Sequence, residues 1–323
     1  MKKALLFTAL FLIHLSLPAD EPSEKTAVVK INPYTAMTLG KYSEYIYTTP
    51  PDEYLISYLE WQTLPLFQAG LNTQLNLKQW TLEADFCYSF PFNCGKMYDN
   101  DYTRTFKMCY NIFDSKDILG LEIFSGFDYK IQLTEKISMK PTLKLMYCYN
   151  HFSANNGYGW FGSAGYSATG DDEPWNSEYA YKAKKVSGIE YSRHDFYSFF
   201  GLNLDYNINK LNFGITTLIA PFAYTKTLDY HKDEIHSAEE SLAFYMAGIQ
   251  TSFFTRFDIE LYCKWQLNEK LSFIFNTKAV FGLETRGKLY VSYEKNSSYG
   301  LSDQPSANDL TNFKITTGIS YCP

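Results

Sequence analysis

The chain has 323 residues and a formal charge of −6, from 29 Lys and Arg against 35 Asp and Glu. An acidic balance with no basic cluster excludes a nucleic-acid partner. Aromatic side chains make up 18% of the residues, yet the mean hydropathy is only −0.28. Beyond the N-terminus there is no apolar run of the ~20 residues that a spanning helix needs.

In chain order, the first segment reads as a secretion signal. Lys2 and Lys3 precede an apolar core over residues 4–17, and Pro18-Ala19 leads into an acidic, polar stretch. That core is too short for a membrane anchor, so cleavage near Ala19 is expected. Residues 1–19 carry two lysines and no acids, so their removal takes the charge from −6 to −8. Residues 20–323 show no repeat, linker or low-complexity tract and read as one domain.

From there the period is two. Phe200, Leu202, Leu204, Tyr206 and Ile208 alternate with Gly201, Asn203, Asp205, Asn207 and Asn209. The same alternation runs through 121–133 and 271–281, and near the end Phe313, Ile315, Thr317 and Ile319 alternate with Lys314, Thr316 and Gly318. This is a strand signal, and no segment of similar length has a helical period. Ten strands are predicted, at about 35–48, 54–75, 78–93, 118–134, 137–157, 188–208, 211–227, 250–267, 271–286 and 311–322. Tight polar turns at 134–137, 207–210 and 267–270 alternate with long polar stretches at 94–117, 158–184, 228–249 and 287–309. The expected fold is therefore all-β: a ten-stranded antiparallel transmembrane barrel with short periplasmic turns and long external loops. Several strands exceed the ~10 residues that cross a bilayer, so the barrel should stand clear of the membrane on the loop side. The chain ends Tyr321-Cys322-Pro323 instead of on the aromatic residue usual for such barrels.

The six cysteines form no CxxC and no metal-ligand spacing. Export permits disulfides, and Cys94 with Cys109, both in one predicted loop, is the pairing suggested. No HExxH, Walker loop or GxGxxG occurs, and Phe161-Gly162-Ser163-Ala164-Gly165 lacks the first glycine of a nucleophile elbow. No cofactor or metal is expected.

Two polar clusters remain. Asp99 and Asp101 lie near one long loop, and Asp229 and His231 lie where another strand leaves for its loop. In extended backbone, residues i and i+2 point the same way, so each pair can enter one space. An aspartate beside an imidazole fixes its tautomer and stabilises its charged form. The spacing alone also fits ordinary solvated loop charges.

The motifs add a second argument. Gly95-Lys96-Met97-Tyr98-Asp99-Asn100-Asp101, Leu59-Glu60-Trp61, Asp229-Tyr230-His231 and Asn312-Phe313-Lys314-Ile315-Thr316-Thr317-Gly318 fall in the order and strands of a known pattern. From about Val29 to Tyr321 the chain resembles the omptin family of outer-membrane endopeptidases. The resemblance implies that Asp229 orients His231, that His231 is the general base toward a water, that Asp99 positions this water, and that Asp101 shares a proton or binds the tetrahedral intermediate. It implies neither a metal nor an acyl-enzyme. It also implies a monomer with a polypeptide substrate at the cell surface and outer-membrane lipid around it.

The substrate pocket departs from the family pattern. The acids that hold a cationic substrate side chain there fall near Pro50-Pro51 and on Thr227, with Asp52 and Glu53 as nearby substitutes. At the family's lipopolysaccharide-binding positions Tyr149 is kept, His151 and Ser153 replace an acid and an arginine, and Arg193 lies one place from another arginine. Two other readings stay open: a non-catalytic barrel, either adhesin or structural protein, on the same scaffold; and a porin, which inward residues such as Lys130, Gln132, Asn203 and Asp205 oppose by filling a narrow lumen.

Overall fold

The computed structural model describes residues 27–162, 174–178, 180–186, 188–236, 241–293 and 298–323. The expected secretion signal at 1–19 lies outside the described residues, as do Ser163-Ala164-Gly165.

The described residues form one antiparallel sheet of fourteen strands. These are β1 (Ala27–Tyr47), β2 (Leu55–Leu77), β3 (Trp80–Ser89), β4 (Phe92–Tyr102), β5 (Lys107–Tyr129), β6 (Ile131–Gln132), β7 (Ile137–Phe161), β8 (Tyr181–Val186), β9 (Ile189–Ile208), β10 (Leu211–His236), β11 (Ser241–Ser252), β12 (Arg256–Gln266), β13 (Leu271–Ser292) and β14 (Gly300–Tyr321). β3 and β4 both bridge β2 to β5, and β11 and β12 both bridge β10 to β13. β14 pairs with β1 from Ile31↔Tyr321 to Ile46↔Ser306. The pairings thus run through ten strand positions and return to their start, leaving a closed ring. Full closure removes the exposed edges that an open sheet would carry.

The ring is turned inside out relative to a water-soluble domain. Phe200, Leu202, Leu204, Tyr206 and Ile208 are exposed, whereas Asn203 and Asp205 between them are buried. Phe313 and Ile319 face outward, and Lys314, Thr316 and Ser320 face inward. The period-two pattern therefore places apolar side chains on the outside and polar ones in the lumen, as a bilayer demands. Several inward charges are paired: Lys144 with Glu83 at 2.9 Å, Lys314 with Glu122 at 2.9 Å, and Arg256 with Asp258 at 2.9 Å. Pairing offsets the cost of taking each charge out of water.

The strands are longer than the alternation suggests. Much of the predicted loops 94–117, 228–249 and 287–309 is strand: β4 and β5, β10 and β11, and β13 and β14 extend into them. These extensions mix polar and apolar residues on one face, as Met97 stands beside Asp99 on β4, or run apolar residues together, as Phe244, Tyr245 and Met246 do on β11, so no clean alternation marks them. Cross-strand hydrogen bonds hold them as ladders all the same. Where β3 gives way to β4, Phe90-Pro91 interrupts the ladder, since proline has no N–H to donate. Between β11 and β12 the break holds Phe254 at φ 58°.

Candidate active site

Gly95 starts the site. Its φ of 105° is a left-handed conformation that favours glycine, and a Cβ there would meet Gln62 Oε1 at 3.0 Å. The same Gln62 Oε1 accepts a hydrogen bond from the Lys96 N–H at 3.0 Å. Between Asn93 and Lys96 the register of β4 on β5 shifts. This bulge fixes which side chains of β4 face inward. Met97 and Asp99 are buried, and Asp101 follows on the same face, half-buried. Asp99 pairs with Leu59 of β2 and Asn111 of β5, and its Oδ2 accepts from Asn111 Nδ2 at 3.1 Å. Asp101 pairs with Ser57 and Cys109.

On β10 the inward face reads Ala223, Thr225, Thr227, Asp229 and His231, all buried. Asp229 lies opposite Tyr191 of β9 and Met246 of β11, and His231 lies opposite Ile189 and Phe244. The His231 ring packs on Phe244 with centroids 4.6 Å apart.

An aromatic floor joins the two clusters. Trp61 pairs with Met97, and Tyr191 pairs with Asp229. The Trp61 and Tyr191 rings stack at 5.2 Å and 13°. Phe152 packs on Trp61 at 5.9 Å and on Tyr42 at 5.8 Å. Asp99 and His231 each stand two residues further out than the residues tied to this stack, a rise of roughly 7 Å.

The third side belongs to Glu44 of β1, which the motif count passes over. Leu59 pairs with Asp99 on one flank and with Glu44 on the other, which sets the two acids two strand spacings, roughly 10 Å, apart. The Glu44 carboxyl is 7% exposed and meets Asp229 and Thr227 in hydrogen-bonding contact, with His231 and Arg193 close enough to act on its charge. Burial pushes Glu44 above the usual carboxylate range, and the contacts to Asp229 and Thr227 oppose this only in part. Two carboxyls in contact favour one shared proton. Folding the predicted hairpin about residues 49–53 sets Glu44 within one position of Leu59, and that pairing is the signal that could have found it.

The other expected positions fall elsewhere. Asp52 and Glu53 lie beyond Tyr47↔Leu55, the outer end of the β1–β2 ladder. Asp52 faces Arg104 at 3.6 Å, and Glu53 pairs with Arg286. They are rim acids, each facing an arginine. Arg193 is 2% exposed, and its Nε donates to Asp195 Oδ2 at 2.8 Å. It therefore points into the lumen and not toward lipid. Its outward neighbour His194 contacts the Tyr147 hydroxyl at 2.9 Å and stacks near Tyr149 at 4.7 Å. Cys94 contacts Ser115 Oγ at 3.5 Å, Cys109 accepts from Asn111 Nδ2 at 3.2 Å, and neither is in a disulfide. Cys109 sits opposite Asp101, seven residues along β4 from Cys94. That is roughly 20 Å, far outside disulfide reach.

A family model described as the Omptin family matches residues 28–322. Among solved structures, the outer membrane protease OmpT from Escherichia coli is similar with a TM-score of 0.77 and 13% identity, covering 94% of this chain and 99% of that one. The translocator domain of the autotransporter NalP from Neisseria meningitidis reaches a TM-score of 0.34 at 10% identity, covering 99% of this chain and 95% of that one. No curated protein sequence matches the chain.

Proposed function

Because the chain belongs to the omptin family, and is thereby a bacterial outer-membrane protein, we propose that it is an endopeptidase acting at the cell surface, on a ten-stranded transmembrane barrel whose long ladders and loops face outward. The observation that carries this reading is the contact of Glu44 with Asp229, since Glu44 lies in the same cross-strand row as Asp99. That row supports a reading in which both clusters line one space above the Trp61–Tyr191 stack.

In this mechanism His231 takes a proton from water as general base, and Asp229 holds the imidazole and stabilises its charge. Asp99, held by Asn111, accepts a hydrogen bond from that water and aims it at the scissile carbonyl. Asp101, further out on the same face, holds a proton for the oxyanion of the tetrahedral intermediate. His231 then returns its proton to the leaving amine. Glu44 supplies the acid on the substrate side, opposite Thr227. The barrel sets this chemistry on rigid strands, whose geometry is more precise than that of loops.

The test is digestion of a broad peptide library by the refolded protein, with products read by mass spectrometry. Cleavage by the wild type that falls at least ~10²-fold in H231A, the scale of a lost general base, supports the reading. A wild type that cuts nothing, or an H231A that cuts equally well, overturns it and leaves a binding barrel on the same scaffold.

A further inference from the structure

At the opposite end of the ring from the candidate site, the short turns surround a cavity of about 520 Å³ lined by seven lysines and two carboxylates, Asp205 and Glu269. This is a marked imbalance in a chain whose formal charge is −6. Three of the lysines, Lys30, Lys140 and Lys264, are half-buried and also line the neighbouring lumen cavity of about 300 Å³. The other four, Lys78, Lys130, Lys210 and Lys270, stand exposed around the rim.

Further up the lumen the lysines are answered by acids, as Lys144 is by Glu83 and Lys314 by Glu122. At the mouth they are not. Lys140 Nζ lies 2.6 Å from Asp205 Oδ2, and among the described residues it is the only one of the seven in an ion pair. Asp205 is already engaged by the Ser138 and Tyr262 hydroxyls as well. Lys264 Nζ donates to the neutral Ser320 Oγ at 3.0 Å. Converging ammonium groups that lack counter-charges in a partly enclosed space repel one another and concentrate a positive field there. Lysine is a compact point charge that suits a tetrahedral, multiply charged oxyanion.

We propose that the turn-end mouth of the ring is an anion site, with Lys30, Lys140 and Lys264 at its base and the rim lysines above, and that it takes a phosphate-bearing ligand. A phosphate group brings up to two negative charges and several acceptor oxygens, enough for more than one ammonium at once, and the cavity is wide enough for a diphosphate. Two sources share that chemistry: a soluble phosphate, or the headgroup of an anionic phospholipid in the leaflet around the turns. The site stands apart from the peptidase centre, so neither reading depends on the other.

The experiment uses full-length refolded protein and inorganic pyrophosphate as probe. Calorimetric titration in non-ionic maltoside micelles at low salt should show saturable binding that weakens as salt rises. The K30Q/K264Q variant should bind at least ~10-fold more weakly, the scale of a lost charge-assisted hydrogen bond. The rim variant K210Q/K270Q should show a smaller loss, and K107Q/K182Q, on the outer extensions, none. A second arm compares thermal unfolding in phosphatidylcholine vesicles with and without phosphatidylglycerol. A stabilisation by phosphatidylglycerol that K30Q/K264Q lacks and pyrophosphate reverses identifies the headgroup as the source. Pyrophosphate binding with no effect of phosphatidylglycerol identifies a soluble anion. No pyrophosphate binding, or equal binding by wild type and a folded K30Q/K264Q, overturns the proposal.

Discussion

Trp61 of β2 and Tyr191 of β9 stack across the ring, with centroids 5.2 Å apart and planes 13° apart. Both are fully buried. Neither the Trp61 Nε1 nor the Tyr191 hydroxyl has a hydrogen-bond partner among the described residues, so stacking and apolar contact hold the floor of the site. Trp61→Ala should cost ~3–5 kcal/mol, as large-to-small core changes do. Tyr191→Phe removes an unpaired polar atom and keeps the ring, so it should stay within ~1 kcal/mol of wild type. Urea unfolding of the refolded proteins in micelles measures both.

Glu44 makes stability depend on pH in a specific direction. It lies in the outer part of β1, clear of the apolar belt, and burial raises its carboxyl above the ordinary value of 4.5. The folded protein therefore binds this proton more tightly than the unfolded chain. Its contribution is fully present below pH 4.5 and is lost as pH rises through the raised folded value. Glu44→Gln keeps the shape and removes the titration. Its unfolding midpoint should fall less than that of wild type as pH rises above 4.5, and parallel pH profiles would contradict the assignment.

The pair below the site is structural. Arg193 and Asp195 are each 2% exposed, and Thr225 Oγ1 donates to Asp195 Oδ1 at 2.6 Å. Asp195→Ala strands a buried guanidinium and should cost ~3–5 kcal/mol. A much smaller shift in the urea midpoint would show that water reaches Arg193.

The cysteines should all be reactive once the chain is opened. None of the six cysteines is in a disulfide. Alkylation in denaturant without reductant should therefore add six labels, read by intact mass, and reductant should leave the melting temperature unchanged. Four labels would mean that a disulfide has formed.

The lumen and lipid faces were legible because a strand in a bilayer has only two environments. Phe200 to Ile208 and Phe313 to Ile319 sort by alternation alone, and the turns at 207–210 and 267–270 fall where polar residues break it. The outer ladders were not legible. Their faces are not sorted into apolar and polar: Met97 and Asp99 share the inward face of β4, and Phe244, Tyr245 and Met246 follow one another on β11, so alternation does not mark these segments as strand. The same gap hid Glu44. Its role comes from standing beside Leu59 in a hairpin, and a count along the motif leads instead to Pro50-Pro51. Asp99, Asp101, Asp229 and His231 were legible as i, i+2 pairs, but how one pair stands to the other depends on strand pairing around the ring, which no spacing encodes. The disulfide expectation for Cys94 and Cys109 failed for the reason that the loop did: their segment is a ladder that holds them far apart.

The central claim is that Asp99 and His231 serve one water, and a double-mutant cycle tests it most directly. Initial rates of library cleavage are measured for wild type, D99A, H231A and D99A/H231A. Residues that act as a unit are strongly non-additive. The double variant should be no slower than the worse single variant, within about threefold, with each single at least ~10²-fold below wild type. Losses that multiply in the double variant would show that the two residues act independently, and would contradict a shared site.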